Sequence, residues 1–233
     1  VVDCIRCVYE TDIRHLGKKK IDKKLPFVRE LTKNYIGIDP VYEPIPVRPV
    51  VHYMMGGIDT NIDCSTILPG LFAAGECACV SINGANRLGS NSLTEILVYG
   101  ARAGQAAAVF VAEHSEINLE ALEKQGADEY KRITRDFLQK DGGSERIATL
   151  RNEMHQVMEQ SVDIFRSESG LKEACNKIEE LKDRFSSILI EDKSLNFNTE
   201  LTSALELENM IDVAESIIFS ALSRRESRGS HQR

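Results

Sequence analysis

The spacing of apolar positions changes character twice along the chain. Phe27, Leu31 and Tyr35 recur every four residues, which predicts a helix over Pro26–Tyr35. Pro40, Pro44, Pro46 and Pro49 follow, and they force an extended, non-helical connection. From residue 51 the apolar positions contract into short runs broken by glycine. Leu71–Ala74 reads as a short buried strand that Gly75 ends. Ser90, Asn91 and Ser92 are helix-capping types, and the stretch from there to about Glu113 predicts one helix. Glu95 stands three residues after Ser92, the spacing of a capping box. Gly100, Ala103, Gly104 and Ala106–Ala108 would let that helix lie close against a sheet or another helix.

Beyond residue 115 the period is helical throughout. Ile147, Leu150, Met154 and Val157 form one stripe, and Leu171, Cys175, Ile178, Leu181 and Phe185 a second. A third runs from Leu201 through Ala204, Leu205, Ala214, Ile217, Ile218 and Ala221 to Leu222. Gly142-Gly143 and Gly170 punctuate them, so an antiparallel helical bundle is predicted.

Composition narrows the function classes. With 233 residues, 42% apolar and 28% charged, the chain is ordinary globular protein. No apolar run approaches the roughly 18 residues of a spanning helix, and Asp3, Arg6 and Glu10 interrupt any signal-like start. Charge is uneven: +3 over residues 1–50, −2 over 51–110 and −8 over 111–233. The only basic cluster, Lys18–Lys20 with Lys23 and Lys24, lacks interleaved aromatics and reads as a solvated face, so no nucleic acid is expected as a partner. Six cysteines show no paired C-x-x-C spacing; Cys4-x-x-Cys7 stands alone and Cys77-x-Cys79 is too tight for most metal loops. Reduced thiols and no metal are expected.

Candidate chemistry gathers in the weakly charged centre. Glu76 follows the predicted strand end, where an open α/β sheet binds ligands and an acid holds ribose-type hydroxyls; a surface turn glutamate is the alternative. Arg87 lies in a Gly- and Asn-rich loop ahead of a helix start, with almost no local acid. That setting suits bidentate recognition of a carboxylate or phosphate, against a structural arginine bonding loop carbonyls. His52 precedes Gly56-Gly57, which would let backbone touch a flat ligand, although a lone histidine is often a core residue. The residues themselves describe an anion-binding α/β site and go no further.

The motifs HYMMGGI (His52–Ile58), GLFAAGE (Gly70–Glu76) and GANRLGSNSL (Gly84–Leu93) resemble, in order and spacing, the flavoprotein subunit of fumarate reductase and succinate dehydrogenase. The resemblance extends through DIRHLG (12–17), EPIPVRP (43–49), DGG (141–143), FNT (197–199) and the tail ESRGSHQR (226–233). The family's fold implies part of an α/β FAD-binding domain followed by an all-α helical-bundle domain. Residues 1–50 would end a capping domain, 51–114 the FAD-binding domain, and 115–233 form the helical domain.

The resemblance implies that His52 and Arg87 bind a dicarboxylate, succinate or fumarate. It also implies that Glu76, Asn91, Ser92, Leu93 and Gly57 approach FAD. The implied partners are an iron–sulfur subunit and membrane-anchor subunits that relay electrons to quinone, with the chain peripheral on the cytoplasmic face of the membrane. Asn83 departs from the family, which often has His there, and Met54 falls at a variable position. No G-x-G-x-x-G occurs, and no residue matches the family's flavin-attachment His or proton-donating Arg. With Val1 in place of a methionine, the expectation is the C-terminal portion of a longer flavoprotein, inactive by itself. L-Aspartate oxidase or a soluble fumarate reductase is the alternative enzyme, although the ESRGSHQR ending favours the first family. A helical docking module is the non-enzyme alternative.

Overall fold

A computed structural model describes residues 9–47, 51–114 and 118–233. Cys4, Cys7 and Pro49 lie outside the described residues. The chain divides into two compact units, Val1–Val50 and Val51–Arg233.

In the first unit, strand β1 (Tyr9–Thr11) pairs antiparallel with β2 (Ile45–Val47), Glu10 opposite Pro46. Between them lie a 3₁₀ turn (Arg14–Leu16), helix α1 (Gly17–Lys24) and helix α2 (Pro26–Ile36). Pro26 opens α2, and Gly37 closes it at a φ of +71°, a conformation that favours glycine. The predicted helix is present, but its stripe faces outward: Phe27 is 66% and Tyr35 82% exposed. The Arg29 and Thr32 side turns inward instead, because Arg29 forks onto Asp39 through Nε (3.0 Å) and Nη2 (2.6 Å) and also binds Asp22. That guanidinium holds the Asp39 carboxyl down at about 2. Ile21 is the buried centre of this unit.

The second unit begins with two parallel two-residue strands, β3 (Ile58–Asp59) beside β4 (Ala78–Cys79). Helix α3 (Asn91–Glu113) follows, then α4 (Leu119–Ile133), which runs on into a π-helical turn (Thr134–Leu138). The expected strand at Leu71–Ala74 does not form. Phe72 makes a single antiparallel bridge to Ser65, and Leu71 is 45% exposed. A strand needs a continuous partner, and Ser65 bridges only one residue of this segment.

Helices α5 (Ile147–Ser161), α6 (Glu168–Phe185) and α7 (Thr199–Ser223) form the predicted bundle, and all three stripes face its interior. Leu150, Leu171, Ile178, Leu181, Leu207 and Ile218 are fully buried. Phe137 of the π turn joins this core, edge-on to Phe185 at 6.2 Å. Side chains cap α4, α6 and α7: Asn118 accepts from Ala121 N, Ser167 from Gly170 N and Asn198 from Leu201 N. Half-buried beside the bundle, Arg184 binds both Glu145 and Glu153 in bidentate fashion.

Candidate functional site

The site is built where segment 52–57 meets a later stretch made of 76–79 and the loop 81–90 running into α3. β3 and β4 align the first two, with Ile58 N donating to Cys77 O at 2.9 Å. Gly57 makes this approach possible. A Cβ there would sit 2.5 Å from Cys77 O, and φ is +128°. The Cβ side of Gly57 is thus taken up by the chain's own Cys77 backbone. Nothing lies within 4 Å of a Cβ at Gly56. Gly75, at φ +82°, likewise lies against Ile96 of α3, where a Cβ would be 3.3 Å from the side chain.

The loop reaches α3 through Ser90 in the left-handed conformation, φ +64°, and no side chain caps the helix start. The capping box is absent because Glu95 is committed elsewhere. It is 3% exposed and its Oε2 accepts from the Tyr53 hydroxyl at 3.0 Å and from Asn83 Nδ2 at 2.8 Å. Burial first, and the Glu95 carboxylate second, raise the Tyr53 hydroxyl above its usual range, so it stays a donor.

Arg87 stacks on this assembly. Its guanidinium carbon stands 4.3 Å from the Tyr53 ring centroid, Nη1 donates to Leu88 O at 3.1 Å, and Nε is buried without a partner. No acid among the described residues pairs with it. Glu76 is exposed, and its Oε1 accepts from Met54 N at 3.2 Å. His52, next to Tyr53, is exposed and makes no hydrogen bond among the described residues. Asn91 and Leu93 are exposed and Ser92 is half-buried on the first turn of α3.

The structure thus draws Glu76 and Arg87 to the segment that carries His52, and places Asn91–Leu93 on the helix that the loop enters. Sequence reasoning missed Tyr53 and the buried Glu95 that Tyr53 and Asn83 bond; Asn83 stood out only as a departure from the family. A carboxylate in a helix of small residues was the one available signal for Glu95, since an acid on a close-packed helix needs buried donors.

The small-residue face of α3 is not packed as expected. Nothing lies within 4 Å of a Cβ at Gly100 or Gly104, and Leu97 is 73% exposed. Within the helix only Glu95 and Tyr99 are buried, Tyr99 beside Cys64, whose thiol donates to its carbonyl at 3.3 Å.

Comparison with known proteins places this arrangement. Residues 7–93 match the FAD binding domain family, and residues 151–233 match the family described as fumarate reductase flavoprotein C-term. The chain belongs to the fumarate reductase and succinate dehydrogenase flavoprotein family. It is 54% identical over 225 residues to the fumarate reductase flavoprotein subunit of Mycobacterium tuberculosis, covering 95% of this chain and 39% of that protein. It is 38% identical over 235 residues to the succinate dehydrogenase flavoprotein subunit of Rickettsia bellii, covering 95% and 38%. A solved quinol–fumarate reductase with menaquinol molecules shares 46% identity with a TM-score of 0.92, over 97% of this chain and 39% of that one. The chain therefore spans under two-fifths of the length of these relatives. The flavoprotein fold is a partial α/β FAD-binding domain with a helical-bundle domain, as the resemblance implied.

Proposed function

We propose that this chain carries the dicarboxylate-binding side of an FAD-dependent oxidoreductase that interconverts succinate and fumarate. The observation that carries the reading is Arg87, a stacked guanidinium that among the described residues has no ion-pair partner and a buried Nε–H without an acceptor. A fork of donors that no carboxylate side chain among the described residues occupies is what a carboxylate ligand requires. His52, exposed beside Tyr53, is the second donor, for the other carboxylate.

The residues present fit a flavin on observations of this structure. The 23-residue helix α3 begins with no side-chain cap, so its positive end is open to a negatively charged ring edge. Glu76 uses one oxygen on Met54 N and has a second to accept from a hydroxyl. Asn91, Ser92 and Leu93 would hold the cofactor at this helix start, with Gly57 supporting the adjoining strand. Bound FAD supplies hydride exchange with the substrate carbons. Arg87 and His52 bind and orient the two carboxylates, and their N–H donors stabilise electron density pushed toward them.

In the same reading residues 1–50 close a capping domain, 51–114 belong to the FAD-binding domain and 115–233 form the helical domain. Electrons pass to an iron–sulfur subunit and quinone, with anchor subunits holding the chain at the cytoplasmic face of a membrane. No helix among the described residues is long and apolar enough to cross one. Fumarate reduction is the favoured direction, because the relative named for it is more similar, 54% against 38% identity.

The test is fumarate reduction by the FAD-loaded flavoprotein containing this chain, with a reduced viologen as donor. Arg87→Ala and His52→Ala should each lower turnover on the order of a hundredfold or more. Full turnover in both variants would sink the site assignment, and turnover of aspartate would move the chain to the L-aspartate oxidase reading.

A further inference from the structure

The tail that follows α7 returns to the loop carrying Arg87. It is anchored to the connector between α5 and α6: Gln232 N donates to Ile164 O at 3.0 Å, and Arg166 N donates to Gln232 O at 2.8 Å. His231 is 7% exposed. Its Nδ1 accepts from Arg166 Nη1 at 2.7 Å, and its Nε2 meets Arg224 O at 3.2 Å. Arg228 and His231 exchange backbone hydrogen bonds of 2.8 and 3.0 Å, closing a tight turn over Gly229 and Ser230. Gly229 sits at φ +57° and faces Ala85 so closely that a Cβ would lie 2.1 Å from Ala85 O and 2.5 Å from its carbonyl carbon. Conformation and contact both demand glycine there.

We propose that the tail Arg224–Arg233 is a brace for the Arg87 loop, with Gly229 a positioning residue that acts through Ala85. Ala85 is two residues before Arg87. The guanidinium rests on an aromatic face and one loop carbonyl, with no ion pair among the described residues to hold it in place. A shift of the Ala85 backbone therefore passes to Arg87. The brace gives the helical bundle a mechanical part in the site without touching a substrate, and it rests on the reading of Arg87 as the carboxylate-binding fork.

Hydrogen exchange on the full chain tests it. In Gly229→Ala the amides of residues 81–91 should exchange about tenfold faster, while those of α6 and α7 keep their protection. In the FAD-loaded flavoprotein, the dissociation constant for malonate, a dicarboxylate that cannot turn over, should rise on the order of tenfold with flavin content unchanged. If Gly229→Ala does not fold, His231→Ala adds no volume and removes the side-chain bonds to Arg166 and Arg224, leaving the tail on its backbone bonds alone; a smaller acceleration over 81–91 is expected. Unchanged exchange over 81–91 in a folded variant overturns the brace. Faster exchange in a chain that never binds malonate would keep the brace and remove the dicarboxylate reading.

Discussion

The guanidinium of Arg87 lies 4.3 Å from the centroid of the Tyr53 ring, and that ring is itself fixed by its hydroxyl bond to the buried Glu95. The ring aims the cation, and the carboxylate aims the ring. Tyr53→Phe keeps the stacking surface and removes one of the two side-chain donors to Glu95 Oε2. It should lower unfolding free energy by about 1.5–3 kcal/mol, the range for a hydrogen bond to a charged group, measured by urea unfolding. Tyr53→Leu also removes the platform, so dicarboxylate affinity should fall further in that variant than in Tyr53→Phe.

Asn198 is an N-cap of unusual commitment. Its Oδ1 accepts from Leu201 N at 2.7 Å while its Nδ2 donates to Asp192 O (2.7 Å) and Ser194 O (2.9 Å), and it is 7% exposed. Ser167 and Asn118 make one cap bond each at exposed positions. Ser167→Ala should cost about 1 kcal/mol, and Asn198→Ala about 2–3 kcal/mol, because two carbonyls also lose their donor. Asn198→Asp should be no rescue, since an acceptor-only carboxylate would face those carbonyls. Paired denaturant curves of the three variants decide the ranking.

Leu171 is fully buried between the helices of the bundle. Leu171→Ala should destabilise the bundle by about 2–5 kcal/mol, the range for a buried leucine truncated in a packed core. Helical circular dichroism during thermal melting is the readout, and a shift within error of the parent would contradict the packing described.

Acid should weaken the bundle through Glu153. The Arg184 side chain first, with Lys177 also bonding, lowers its pKa from 4.5 to about 2. The folded value lies below the unfolded one, so the contribution is complete above about pH 4.5 and drains away as pH falls toward about 2. Arg184→Met should flatten this part of the stability profile, measured as urea midpoints between those two pH values. A parent profile already flat across that window would show that the pairing contributes nothing, as exposed ion pairs often do.

Periodic apolar stripes were legible because they are local: the α2 helix, the end of α3 at Glu113 and the three bundle stripes all follow from spacing of three and four. His52, Glu76 and Arg87 stood out as ionisable groups in a stretch poor in charge. The capping box failed because Tyr53 and Asn83 outcompete a helix terminus for Glu95 from 42 and 12 residues away. Gly57 shows a further limit of sequence, since glycine reports close approach without saying what approaches, and one neighbour here is Cys77. The outward face of α2 followed from an ion pair between Arg29 and Asp39, which no hydrophobic pattern contains.

The contiguous core runs through Phe137 and the bundle helices, from Ile147 to Ala221, and none of its members lies in residues 51–114. Heat should therefore separate two events that a single melting curve would merge. The segments around Arg87 and Tyr53, held by a handful of polar contacts and a glycine at the tail, would loosen while the helices still give their full signal. Faster amide exchange over residues 52–57 and 81–91 would then precede the loss of helicity, and cooling after brief heating would restore protection there without refolding the bundle.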